Sequence, residues 1–448
     1  MSIRVVLACF FCVVLTGQIA PVPLEAAPGP PANPGRPPNI VLIVSDDQAW
    51  TDFGFMKHTA VRTPHLDRLA ARSAVFRRGY VPSSLCRPSL ATLITGLYPH
   101  QHGITGNDPP PGTDRSRMLK HIRKATTLPE LLASRGYRSF QSGKWWEGNY
   151  AEAGFTAGMT HGDPKHGGRH GDEGLRIGRE GLKPVFDFIN SCGETPYFLW
   201  YAPMMPHLPH DPPKRLLLKY LSPRRPVAVA KYYAMCEWFD ETCGELLDFV
   251  KRKGQTEKTL VIFVVDNGWI APSEEARHSH PPAQFAPRSK NSPYDGGVRT
   301  PILVSLPGTI APADYPSLVS SVDFAPTILA AAGISKPPSM PGVNLFQVLA
   351  DRGRLARTTV FGEIFAHNVA DIDDPAASLE YRWCVDRNWK LILRANRPQD
   401  AELYDVLADP FERHNQARLQ PQILRALSEE IDAWWPVRAS ARGAAGRR

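Results

Sequence analysis

Asp46-Asp47 and Asp266-Asn267 supply three carboxylates and one amide, an all-oxygen set of side-chain donors. Such a set suits a hard divalent cation, Ca²⁺ or Mg²⁺, whereas zinc more often draws His or Cys. Each pair directly follows an apolar run, residues 39–44 and residues 260–265. One Asp pair after a strand reads as well as a turn or helix cap; two pairs at equivalent places point to metal. Cys86 is a second chemical centre. It opens Cys86-Arg87-Pro88-Ser89, which leads into a helix with proline in its first turn and Gly96 just past its end. A helix N-terminus favours an anion through its free N–H groups and its dipole. A cysteine placed there is a candidate nucleophile or modification site, although a cysteine standing alone would be an ordinary buried one.

These residues need a scaffold that brings them together. Runs at 39–44, 137–142, 196–202, 260–265 and 301–306 are short and strongly apolar, the pattern of strands buried on both faces. Helical stretches separate them. One opens at Thr127-Leu128-Pro129-Glu130 with a capping-box pattern and closes at Gly136; others cover 231–253 and 321–332. This alternation predicts an α/β fold with a mainly parallel sheet flanked by helices. In such sheets ligand groups gather beyond the carboxyl ends of the strands. Asp46, Asp47, Lys144, His207, Asp266 and Asn267 all follow strand ends. From about residue 350 the texture changes to short alternating strands, 381–385, 389–393 and 402–405, with a helix ending near Trp434-Trp435. This predicts a smaller C-terminal α+β subdomain.

The chain therefore divides into residues 1–27, 28–38, 39–350, 351–437 and 438–448. The first has one early charge, Arg4, an apolar run and then small residues, the layout of a secretory signal peptide. The second is a Pro-rich leader, the third the catalytic domain, the fourth the α+β subdomain and the last a basic tail. An exported protein (periplasmic, secreted or lysosomal-type) with no stable membrane span is expected. The net charge is only +8 over 448 residues, part of it in the solvated tail, and gives little basis for a nucleic-acid partner. Of the seven cysteines, Cys9 and Cys12 leave with the signal. The five that remain are an odd number, so at least one is not in a disulfide. Cys236 and Cys243 lie seven apart on one predicted helix, ~10 Å along its axis and too far to bridge each other. They are expected as core fillers or as partners of Cys192 and Cys384. Residues 161–172, rich in His and Gly, read as a loop over the site mouth, and His100 and His102 as structural.

The ordered motifs resemble the sulfatases of the alkaline-phosphatase superfamily. The supporting stretches are 39–47, Cys86-Arg87-Pro88-Ser89 through Thr95-Gly96, 136–145, Asp266-Asn267-Gly268, Asp295-Gly296-Gly297-Val298-Arg299-Thr300-Pro301, and Glu402-Leu403-Tyr404-Asp405 with Asp409-Pro410. The resemblance implies an arylsulfatase-like sulfuric ester hydrolase acting on a sulfated small molecule or glycan. It implies formylglycine made from Cys86 by a formylglycine-generating enzyme. It places the cation, usually Ca²⁺ with Mg²⁺ as the alternative, on Asp46, Asp47, Asp266 and Asn267. Sulfate-binding and leaving-group roles fall on Lys144, His207 and Lys290. Cation and lysines would neutralise the sulfuryl oxygens, and the histidine would protonate the departing alcohol.

Two positions depart from the family pattern. Leu90 stands where an arginine four residues after the cysteine is usual, and Trp146 where a histidine two residues after the lysine is usual. Leu90 joins Leu93, Ile94 and Leu97 at helical spacing and is expected in the core. The pattern fits a sulfatase with altered chemistry. It also fits a catalytically silent sulfatase-like protein that binds an anion or glycan, and a phosphoester or phosphonate hydrolase on the same fold is a further reading.

Overall fold

The computed structural model of the chain describes residues 36–162, 170–269, 288–350 and 357–437. The signal segment, most of the leader, the middle of the 161–172 loop and the basic tail lie outside the described residues.

Among the described residues the main sheet has nine strands. They are β1 (Asn39–Ser45), β2 (Ala74–Tyr80), β3 (Arg138–Gly143), β4 (Ala157–Gly158), β5 (Tyr197–Ala202), β6 (Thr259–Val265), β7 (Arg299–Ser305), β8 (Ala313–Asp314) and β9 (Val319–Ser320). Their order is β4-β3-β5-β1-β6-β7-β2-β8, with β9 also paired to β2. β1 lies in the middle, parallel to β5 on one side and β6 on the other. Its seven residues are all buried, which is why it reads as an unbroken apolar run rather than an alternating one. Helices cover both faces. Even-numbered β1 residues face a core with the Cys86–Thr95 and Phe324–Ala331 helices; odd-numbered ones face the Lys183–Cys192 and Val227–Arg252 helices.

One sequence expectation changes, and one strand was not foreseen. β7 was expected as a member of a parallel array but runs antiparallel to both β6 and β2. An apolar run encodes burial, not direction, and β7 reaches β6 without a right-handed crossover. β2, which leads toward Cys86, did not stand out because Arg77 and Arg78 interrupt its apolar pattern. Both are half-buried and paired with neighbouring segments: Arg77 reaches Asp314 at 3.1 Å, and Arg78 donates to the Arg387 carbonyl. The predicted helix at 127–136 forms over Leu128–Ala133, where the Glu130 carboxylate accepts the Thr127 N–H at 3.0 Å. Of the alternatives left open for the cysteines, core filling holds among the described residues: Cys86, Cys192, Cys236, Cys243 and Cys384 are all buried free thiols.

A second, antiparallel sheet follows: β10 (Thr359–Phe365), β11 (Leu379–Asp386), β12 (Trp389–Arg394) and β13 (Glu402–Asp405), in that order. The Pro421–Trp434 helix packs on it through Leu427 and Ile431. This second sheet meets the main one through an apolar cluster that includes Tyr80, Val298 and Trp383, and through buried ion pairs. Lys390 of β12, fully buried, donates to Asp295 at 2.8 Å and pairs with Glu412 at 3.0 Å. Asp295 opens the helical turn that leads into β7. His100 and His102 are structural, as expected. His100 contacts the buried Glu363 carboxylate and stacks on Trp435, while His102 accepts the Ile104 N–H at 3.0 Å.

Replacing Lys390 by Met strands two buried carboxylates and should cost about 3–5 kcal/mol in urea denaturation. A loss below about 1 kcal/mol would show that this ion cluster does not join the two sheets.

Candidate active site

The carboxyl ends of β1, β3, β5 and β6 lie side by side in the sheet, so whatever follows each strand enters one pocket. Asp46 and Asp47 follow β1, Lys144 follows β3, His207 comes five residues after β5, and Asp266 and Asn267 follow β6. Backbone bonds lock the strand ends: the Asp266 N–H donates to Ser45 at 2.9 Å and the Asp46 N–H to Met205 at 3.0 Å. The Lys144 N–H donates to the Ala202 carbonyl at 2.6 Å. That contact needs Gly143, whose φ is +85° and where a Cβ would collide with the same carbonyl. Cys86 arrives from the other side, as the first residue of its helix.

All eight residues singled out from the sequence meet here. Lys144 Nζ donates to Asp46 Oδ1 at 2.6 Å and to Asp266 Oδ2 at 3.3 Å. Lys290 Nζ reaches both Asp47 oxygens, at 2.6 and 2.8 Å, and the Cys86 sulfur at 3.0 Å. Asn267 Nδ2 donates to Asp47 Oδ1 at 2.5 Å, and the Asp47 N–H to Asp266 Oδ1 at 3.1 Å. His207 Nε2 lies 3.5 Å from Asp47 Oδ2 while its Nδ1 is 2.6 Å from the Leu208 carbonyl. A carbonyl only accepts, so Nδ1 carries a proton and Nε2 is the nitrogen turned to the pocket.

Charge decides how this cluster behaves. Burial raises the Asp46 carboxyl to about 6 and the Asp266 carboxyl to about 7, with Lys144 pulling both the other way. Burial acts upward on Asp47 too, but Lys290, His207 and Lys144 outweigh it and hold this group ionised. The Cys86 thiol is pushed to about 11 by burial, so an unmodified Cys86 is not a thiolate at neutral pH. Burial lowers His207 to about 4, and the neighbouring Asp47 carboxylate works against that drop. Three carboxylates thus face two ammonium groups.

The donor chemistry fits a divalent cation. Ligand atoms of Asp46, Asp47, Cys86 and His207 all lie within 4.8 Å of one another. Asp46 Oδ2 and Asn267 Oδ1 are buried with no hydrogen-bond partner among the described residues. Both are oxygen acceptors beside carboxylates, the donor chemistry that a hard divalent cation takes. Lys144 and Lys290 hold Asp46 Oδ1, Asp266 Oδ2 and both Asp47 oxygens, and Asp266 Oδ1 accepts the Asp47 N–H.

Comparison with known proteins settles the family. The Sulfatase family model matches residues 38–334, and the model of the C-terminal region of N-sulphoglucosamine sulphohydrolase matches residues 288–433. The chain belongs to the sulfatase family. Arylsulfatase A of Homo sapiens is 29% identical over 474 residues, covering 88% of this chain and 87% of that protein. N-acetylgalactosamine-6-sulfatase of Rattus norvegicus is 28% identical over 397 residues, covering 74% and 71% respectively. The solved structure of Ps i-CgsB has a TM-score of 0.73 at 22% identity, covering 91% of this chain and 94% of that one, a likeness of fold.

The two positions that depart from the sulfatase pattern are both buried. Leu90 packs with Leu93 and Ile94, as its spacing predicted. Trp146 lies under the Arg115 guanidinium at 5.1 Å and against the His170 ring at 5.4 Å. Sequence reasoning missed Glu147, which forms a buried ion pair with Arg87. The only signal was an acid one residue past Trp146, which matches no motif.

Calcium should raise the thermal midpoint of the wild-type protein. At a hundredfold excess over Kd, binding one site adds about 2.7 kcal/mol. Asp46→Asn should abolish the shift in differential scanning calorimetry; a full shift in that variant would place the cation elsewhere.

Proposed function

We propose that the protein is a sulfuric ester hydrolase acting on a sulfated carbohydrate or aryl ester, with Cys86 modified to formylglycine and Asp46, Asp47, Asp266 and Asn267 holding Ca²⁺. The observation that carries this reading is the pair of stranded oxygens, Asp46 Oδ2 and Asn267 Oδ1, beside the lysine that touches Cys86. When present, the cation supplies positive charge to the sulfuryl oxygens and formylglycine supplies the attacking oxygen.

The chain's own residues do the rest. Lys144 and Lys290, whose ammonium groups stay charged against their carboxylate neighbours, draw the anionic ester in and hold its oxygens. The N-terminus of the Cys86–Thr95 helix adds its dipole. His207 presents Nε2 to the ester oxygen and hands a proton to the departing alcohol. A burial-depressed imidazole is a strong acid once protonated, and Asp47 beside it favours the protonated form.

The same reading has residues 1–27 as an export signal, residues 39–350 as the catalytic domain and residues 351–437 as a subdomain over its edge. Residue 86 would be modified by a formylglycine-generating enzyme that accepts leucine at position 90. Among the described residues no helix is long and apolar enough to cross a membrane. The glycan class is supported by relatives such as N-acetylgalactosamine-6-sulfatase. A second reading, a catalytically silent anion or glycan binder, rests on Leu90 and Trp146 replacing the usual arginine and histidine.

Mass spectrometry of the peptide containing residue 86, from the native host, should show the CH2SH side chain converted to CHO, with sulfur and two hydrogens lost and one oxygen gained. The same protein should turn over p-nitrophenyl sulfate faster than the phosphate analogue, and Cys86→Ala should lose turnover by at least ~10³-fold. Unmodified cysteine with anion binding but no turnover would establish the silent binder. Faster turnover of the phosphate ester would establish a phosphoester hydrolase.

A further inference from the structure

Arg87 follows Cys86 directly, yet its side chain leads away from the reacting centre. Successive helix positions are 100° apart, so the side chains at 86 and 87 leave the helix on different faces. Arg87 is 2% exposed. Its Nε and Nη2 donate to the two Glu147 oxygens at 2.6 and 2.7 Å, a bidentate fork. Nη2 also donates to the Met118 carbonyl at 2.9 Å and Nη1 to the Gly106 carbonyl at 3.4 Å. The Arg87 N–H donates to Asn107 Oδ1 at 3.0 Å.

The helix beginning at Cys86 has no side-chain cap of its own, since Leu85 occupies the N-cap. Its first turn is tied down from residue 87 instead. At the other end of the fork, Glu147 stands three residues beyond Lys144. That segment is fixed to the sheet, with the Lys144 carbonyl accepting from Trp200 Nε1 at 3.3 Å. The pair therefore spans the segments that carry the reacting residue and a sulfate-binding lysine. Stability alone does not explain it, because a buried ion pair is often no better than an apolar pair of the same volume. Both partners also sit beside the departures from the family pattern: Arg87 in the turn whose usual arginine is Leu90, and Glu147 next to Trp146.

We infer that the Arg87–Glu147 ion pair is a positioning device that sets the placement of residue 86 against Lys144 and Lys290 in a site lacking the usual arginine and histidine. This rests on the reading of residue 86 as the reacting group. Arg87 and Glu147 are positioning residues and do not touch substrate.

The test uses the full-length protein and four readouts. The double variant Arg87→Met/Glu147→Leu replaces the pair by apolar groups and should fold, as urea denaturation will report. Residue 86 should be converted to the wild-type extent by peptide mass spectrometry. On p-nitrophenyl sulfate, kcat should fall by roughly 10- to 100-fold with KM within about twofold, the signature of misplacement rather than lost binding. A folded, converted double variant with wild-type kcat overturns the inference. Should the double variant not fold, Arg87→Lys keeps the charge but loses the fork; its kcat should fall several-fold, and wild-type kcat there overturns the inference as well. If the wild-type protein itself does not turn over, the functional reading fails separately and crystal structures still decide. The residue 86 Cβ should shift by more than about 0.5 Å from Lys290 in the double variant, and an unmoved Cβ overturns the proposal.

Discussion

Three buried carboxylates that converge at the end of one sheet are the constraint to which the rest of the site answers. Uncompensated, they would not stay ionised there, because removing a charge from water costs far more than folding leaves to spend. The fold compensates in two ways at once. Lys144 and Lys290 neutralise part of the cluster, and Asp46 Oδ2 and Asn267 Oδ1 remain as acceptors for a cation. The same lysines are the groups that an anionic ester would meet. On the proposed function, a cation that relieves the carboxylates would free the ammonium groups for sulfate, coupling metal binding to substrate binding through one set of charges.

The architecture makes that convergence inexpensive. β1 and β6 are neighbours and parallel, so their carboxyl ends deliver Asp46, Asp47, Asp266 and Asn267 to one place without long loops. The close approach of two glycine-containing motifs completes it. Gly268 sits against Gly296, where any side chain would collide with backbone, and its N–H donates to the Gly297 carbonyl at 2.9 Å. The Asp266-Asn267-Gly268 and Asp295-Gly296-Gly297 stretches are therefore one packed unit, and Asp295 carries the ionic link to the second sheet.

How much of this was legible depended on the physical signal each feature leaves. β1 and β6 are buried on both faces and announce themselves as apolar runs ending in acids. β2 was not legible, because Arg77 and Arg78, half-buried and paired with neighbouring segments, break its run. The direction of β7 leaves no trace in composition at all. Asp46, Asp47, Asp266 and Asn267 were readable as an oxygen set, whereas Lys290 could be placed only through the family resemblance, being an ordinary lysine in a polar stretch. Glu147 was invisible: an acid gains meaning only when a buried arginine sixty positions earlier in the chain is found facing it. Leu90 was placed in the core by spacing alone, and it is there.

The central claim is that the four oxygen donors hold one doubly charged cation beside residue 86. Anomalous diffraction from crystals grown with calcium tests it most directly. The prediction is a single peak about 2.3–2.6 Å from Asp46 Oδ2 and Asn267 Oδ1, with Lys144 and Lys290 drawn off the carboxylates. Full calcium with no peak there, and both lysines still on Asp46 and Asp47, would contradict it.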